Sequence, residues 1–207
     1  MSANAELGAK DPEERRRRIL AAAVDVLIER GFSGTRVADI AKAAGTSPAL
    51  IVYHFGTLDG LLVEAITSIE DSFYSDFAAL LPPDAGAPER LRLTGVLGSD
   101  AGPAVGNWVL WMEVWVRALR DARTREIRQA TDARWRGHIR DTIERGVAEG
   151  VFTCSDPEGA AVRLVAVMDG LAVQVSLGDT TVPVERMAEL WLTAAANEVG
   201  LAPDSLL

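Results

Sequence analysis

The chain has 207 residues, 48% of them apolar and 25% charged, with a formal net charge of −9 and one cysteine, Cys154. That composition belongs to a globular chain long enough to bury its own core, and a lone cysteine excludes an internal disulfide and fits a reducing compartment. The opening MSANAELGAK lacks the apolar run of a secretory leader. The two most apolar stretches, 104–119 and 159–177, are interrupted by Asn107 and Glu113 and by Arg163 and Asp169, so neither reads as a bilayer span. A cytoplasmic protein without a membrane partner is expected.

Helical spacing of apolar residues dominates, without strand-like alternation. The first helix opens at Pro12, carries acids in its first turn and stops at Gly31, with Ile19, Ala23 and Val26 on one face. Thr35 is placed to cap a second helix that runs to Ala44 before Gly45. Ser47 and Pro48 give an N-cap and a first-turn proline to a third, ending near Phe55. Thr57 caps the fourth, striped by Leu62, Ile66, Ile69, Phe73, Phe77 and Leu80 and broken by PPDAGAP at 82–88. Five further helices are expected over about 88–98, 103–121, 124–149, 157–177 and 183–199. The reading is all-α, about nine helices in two domains. Residues 1–56 form a three-helix helix-turn-helix head and 57–207 a helical-bundle body, with the fourth helix shared.

In the head, Ile40, Ala44, Leu50 or Ile51, and Phe55 can close a small core, leaving Ser47, Ala49, Val52, Tyr53 and His54 outward. Two helices joined by a four-residue turn containing glycine form a helix-turn-helix, whose second helix enters a DNA major groove. A helical hairpin without a ligand fits the same pattern. Charge permits a polyanion to approach this end: Lys10, Arg15 to Arg18, Arg30, Arg36 and Lys42 all fall within residues 1–60, and the excess of acid falls on the remainder.

The run TRVADIAKAAGTSPALIVYHFGTLDGLL, 35–62, resembles the DNA-binding signature of the TetR family of bacterial transcriptional regulators. The resemblance implies an all-α regulator whose head holds operator DNA and whose body binds a small molecule and pairs with a second copy. The segments WMEVWVRALRD and DGLAVQ resemble, more loosely, the body of the betaine-regulator branch. Small residues at the start of the third helix (Thr46, Ser47, Pro48, Ala49) permit close approach to the groove. Ala49 or Val52 is suited to a thymine methyl, and Thr46 or Ser47 to a base edge or phosphate. The resemblance assigns Tyr53 and His54 to phosphates. The helix start at Thr35 and Arg36 adds backbone amides and charge. Many members carry Lys just after the cap of the fourth helix; Leu58 stands there, so one phosphate contact is expected to be missing.

In the body, Trp108, Trp111, Met112 and Trp115 recur at i, i+3, i+4 and i+7, and the rest of their helix is apolar apart from Glu113 and Arg117. A helix apolar on all sides is expected at the centre of the body. The tryptophan stripe suits plain core packing. It also suits an effector pocket that adds Trp135 and His138, with Glu113 or His138 orienting an aromatic or cationic ligand. The last two helices are rich in small residues, and the resemblance makes them a dimer interface with Arg163, Val167, Leu171, Gln174, Leu190, Trp191 and Ala194 as contacts.

Enzyme readings find little support. There are only two histidines, no Glu-x-x-His or Cys-x-x-Cys spacing, and no phosphate-binding loop or nucleophile elbow. A buried acid pair of Glu113 and Asp169 would need the fold to bring the two together. The expected protein is a homodimeric repressor without cofactor, released from a near-palindromic double-stranded operator by a small molecule. The alternative is a helical small-molecule carrier with a vestigial head.

Overall fold

A computed structural model describes residues 12–99 and 108–207. Among them every regular element is an α-helix, nine in all: α1 Pro12–Gly34, α2 Val37–Ala43, α3 Pro48–Phe55, α4 Leu58–Leu80, α5 Ala87–Ser99, α6 Trp108–Ala118, α7 Ala122–Ala148, α8 Pro157–Ser176 and α9 Val184–Glu198. The expected start of the sixth helix at 103 lies outside the described residues. The chain falls into two compact units that divide within α4, one ending at Asp71 and the other beginning at Ser72.

The first unit is built by capping and by glycine. Regular helix in α1 ends at Gly31 (φ 66°, ψ 175°), after which Phe32–Gly34 add a short turn. Gly45 (φ 61°) and Gly56 (φ 72°) bracket α3 in the left-handed region, which other residues enter only at a cost. Ser47 caps α3 by accepting from the Leu50 amide at 3.2 Å, and Thr57 accepts from the Gly60 amide at 3.0 Å. Thr35 does not cap α2. The N-cap is Arg36, without a side-chain bond, because the Thr35 hydroxyl turns back and donates to the Gly31 carbonyl at 2.6 Å. Ile19, Ala23, Val26 and Leu27 close the core with Ile40, Ala44, Ile51, Phe55 and the first turns of α4, so Ile51 rather than Leu50 faces inward.

The second unit centres on α8, which packs against α5, α6, α7 and α9. Its buried residues Ala160, Ala161, Leu164, Val165, Met168, Leu171 and Ala172 account for its apolar character. The expected central helix, α6, is instead flanking. It packs on α7 and α8 through Leu110, Val114 and Ala118, while Val109 and Val116 are 53% and 57% exposed. Three residues spaced by four make a single buried seam, and the tryptophan face lies to one side of it. In α4, Phe73 and Phe77 are buried but the last residue of the expected stripe, Leu80, is 59% exposed where the helix ends. Asp121 starts α7 earlier than expected by accepting from the Thr124 amide at 2.7 Å. The Glu149 carboxylate likewise satisfies the Ala87 amide at the head of α5, at 3.0 Å. The α5–α9 contact is close: a Cβ at Gly95 would sit 2.5 Å from the Trp191 ring, whose Nε1 donates to the Leu164 carbonyl at 3.0 Å.

Candidate functional site

Two regions gather the chemistry, one in each unit. In the first, α3 turns Ile51 and Phe55 inward, and its outer side carries Pro48, Ala49, Val52 (49% exposed) and Tyr53 (81%). Ser47 is exposed at its cap and Thr46 half-buried before it. Such exposure of a valine and a tyrosine on a short capped helix has no internal cause, since neither helps close the core. His54 is different: it is half-buried, edge-on to Tyr53 with ring centroids 5.2 Å apart, and its Nε2 is buried without a hydrogen-bond partner among the described residues. Only its other edge remains for an outside contact.

Of the two residues expected at the start of α2, Arg36 is exposed but Thr35 is 4% exposed and spent on Gly31. The arginine run splits by function. Arg16 pairs with Glu64 and lies over the Phe55 ring at 5.2 Å, Arg17 pairs with Glu14, and Arg30 bridges Asp39 at 3.0 Å. Among the described residues of the first unit, Arg18, Arg36 and Lys42 are exposed cations without such a bridge. The expected positive field therefore rests on fewer groups than the run suggests.

In the second unit the expected effector residues divide. Trp135 and His138 stack at 5.8 Å and sit against Phe73, Tyr74 and Phe77, with Phe77 4.5 Å from the imidazole. Burial holds the His138 imidazole neutral, its pKa lowered to about 4, and the Thr94 hydroxyl lies 2.9 Å from its Nε2. The ring is half-buried, with its Nε2 against the Thr94 hydroxyl. On α6, Trp108, Trp111, Met112, Glu113 and Trp115 are half-buried, and Trp108 keeps its Nε1 buried without a partner among the described residues.

Beside Trp115 lies a charged group that sequence reading does not anticipate. The Arg128 guanidinium is 6.0 Å from the Trp115 ring and bridges Asp132 at 3.0 Å. From α8, Asp169 feels the negative charge of Asp132 and the positive charge of Arg128. Burial first, then Asp132, pushes the Asp169 carboxyl up to about 6. Burial also raises Asp132, opposed by Arg128 and Arg136. The acid that acts on Asp169 is thus Asp132. The signals were present in two places: Arg128 and Asp132 at i,i+4 spacing, and Asp169 as the one charge between Leu164 and Ser176.

The expected dimer residues separate by burial. Trp191 and Leu171 are 0% and 9% exposed within the protomer, so they belong to its own core. Arg163 is committed to Glu198 through two bonds of 2.8 and 2.7 Å. Val167, Leu190 and Ala194 are half-buried and Gln174 exposed. On α8 the open face is Val162, Ala166 and Gly170, spaced by four residues.

Residues 19–65 match the family model of bacterial regulatory proteins of the tetR family, and residues 98–200 match that of the BetI-type transcriptional repressor C-terminal domain. A transcriptional regulator from Saccharomonospora viridis solved with choline is 33% identical, with 86% of this chain and 94% of that one covered at a TM-score of 0.77. A TetR-family regulator from Rhodococcus sp. is 30% identical, covering 90% and 99%, at a TM-score of 0.78. The HTH-type transcriptional regulator BetI of Stenotrophomonas maltophilia is 26% identical over 166 residues, 79% of this chain and 82% of that protein. The chain belongs to the TetR family of bacterial regulatory proteins: it is a transcriptional repressor with a BetI-type C-terminal domain, not an enzyme.

Proposed function

We propose that the protein is a cytoplasmic homodimer that holds a near-palindromic operator and releases it when a small cation binds in the body. Residues 1–56 read the DNA, and 57–207 carry effector binding and dimerisation. The observation behind the effector class is Asp169. Its carboxyl is part-buried, repelled by Asp132, and faces an Arg128 already bridged to Asp132. A part-buried carboxylate short of compensation is stabilised by an incoming cation. The relative from Saccharomonospora viridis was solved with choline, a cation of this kind.

For the dimer, the open face of α8 offers small residues. A Cβ at Gly170 would meet nothing within 4 Å, so no contact inside the protomer calls for glycine there. Glycine within a helix costs about 1 kcal/mol relative to alanine, a cost that close approach of a second copy would explain. Two recognition helices related by a twofold axis would then read half-sites about 34–36 Å apart.

The test selects an operator from a random duplex pool, then titrates choline, tetramethylammonium and their uncharged isosteres against the complex by fluorescence anisotropy. Release by the cations alone, with about 5–150-fold weaker operator affinity, is the expected result. Asp169→Asn should blunt release without changing operator affinity in the absence of effector. Tryptophan fluorescence changes without any sequence-specific DNA binding would favour a carrier instead.

A further inference from the structure

The outer face of α3 raises the question of what sequence information it can extract. The helix reads PALIVYHF and contains no Lys, Arg, Asn, Gln, Asp or Glu. In a major groove, guanine and adenine are distinguished by two-pronged hydrogen bonds from exactly the side chains it lacks, and cytosine by a carboxylate. What remains outward is Pro48, Ala49, Val52 and the phenol of Tyr53, while the Nε2 of His54 is buried. The Ser47 hydroxyl already accepts from the Leu50 amide at 3.2 Å, which leaves it a proton to donate, and oxygen or nitrogen acceptors occur on several bases.

We infer that Ala49 and Val52 select the operator through the C5-methyl groups of thymine, so that α3 distinguishes 5-methylated from unmethylated pyrimidines rather than reading hydrogen-bond patterns. This rests on the DNA-reading role proposed above. Ala49 and Val52 are three residues apart and share one side of the helix. Val52 is 49% exposed, apolar, and left without a partner by the core of its own unit. The C5-methyl is the apolar group that a base pair offers in that groove, and it is the group an exposed valine can desolvate with profit. The exposed cations Arg18, Arg36 and Lys42 lie on α1 and α2 or at their ends, so backbone attraction and base selection fall to different helices.

The selected operator supplies the test. Each thymine is replaced singly by deoxyuridine, which keeps the base pair and removes only the methyl, and affinity is measured for the full-length protein. Loss of about fourfold per methyl is expected at two positions in each half-site. In Val52→Ala the deoxyuridine penalty at one of those positions should vanish, and in Ala49→Ser that at the other should shrink. Both variants alter exposed positions, and unchanged melting would confirm that they fold. Replacing cytosine by 5-methylcytosine at a degenerate position beside Val52 should tighten binding. The inference is overturned if deoxyuridine is tolerated at every thymine, or if its penalty persists in both variants. If the pool yields no preferred sequence at all, the DNA-reading role itself fails, a distinct outcome that also removes the inference.

Discussion

The imidazole of His138 donates to Thr94, and the direction of that bond follows from counting protons. The Thr94 hydroxyl has one hydrogen, given to the Arg90 carbonyl at 2.8 Å, so at 2.9 Å from His138 Nε2 it can only accept. His138 is therefore the Nε2–H tautomer, and burial keeps it uncharged.

The resulting pH dependence has two opposed parts. For His138, lowered from 6.5 to about 4, the folded state loses stability as pH falls, because the unfolded chain takes up a proton that the buried ring refuses. For Asp169, raised from 3.8 to about 6, the cost of burying the ionised carboxyl is full above that value and fades as pH falls towards 3.8. Between pH 7 and 5 each contributes about 1–2 kcal/mol and the two nearly cancel. Urea titrations should show little net change over that range in the unaltered protein. Asp169→Asn should raise stability at pH 7 by about 2–3 kcal/mol and leave a fall towards pH 5 that the parent lacks.

Thr35 and Tyr53 both fall within the run 35–62, yet Thr35 is 4% exposed and Tyr53 81%. Thr35→Val should lower stability by about 1 kcal/mol through the bond to Gly31, with its effect on DNA confined to the folded fraction. Tyr53→Ala should leave thermal unfolding unchanged and weaken operator binding several-fold, because the ring is 81% exposed. Anisotropy and melting, measured on both variants, separate the roles.

Close packing of α5 on α9 leaves no room for a side chain at Gly95. Alanine there would place its Cβ 2.5 Å from the Trp191 ring, which is fully buried and tethered to Leu164. Gly95→Ala should cost about 1–3 kcal/mol as overpacking, read in thermal denaturation. By contrast Gly170→Leu should preserve the protomer fold yet halve the mass seen by sedimentation. A dimer that survives Gly170→Leu would place its interface elsewhere.

Much of this architecture was legible in the sequence because caps and glycines are local: Ser47, Thr57 and the glycines at 31 and 45 act within a few residues of themselves. The exposed face of α3 was legible for the same reason. What periodicity could not supply was which face of an apolar helix meets its neighbours. Trp191 and Leu171 looked like interface residues and α6 looked central, yet burial is decided by helices far away in sequence, above all α8. The pairing of Asp169 with Asp132 is of that kind. Thr35 misleads for a subtler reason, since its hydroxyl chose a carbonyl behind it over an amide ahead of it.

The strain held at Asp169 also makes the protein its own detector. A cation that settles beside this carboxylate relieves a burial cost as well as binding, so its occupancy raises the unfolding temperature. The rise should be larger at pH 8, where the carboxylate is ionised, than at pH 5, where a proton already sits in the cation's place. A library of amines screened by melting at those two pH values would sort true effectors from bystanders before any operator is known.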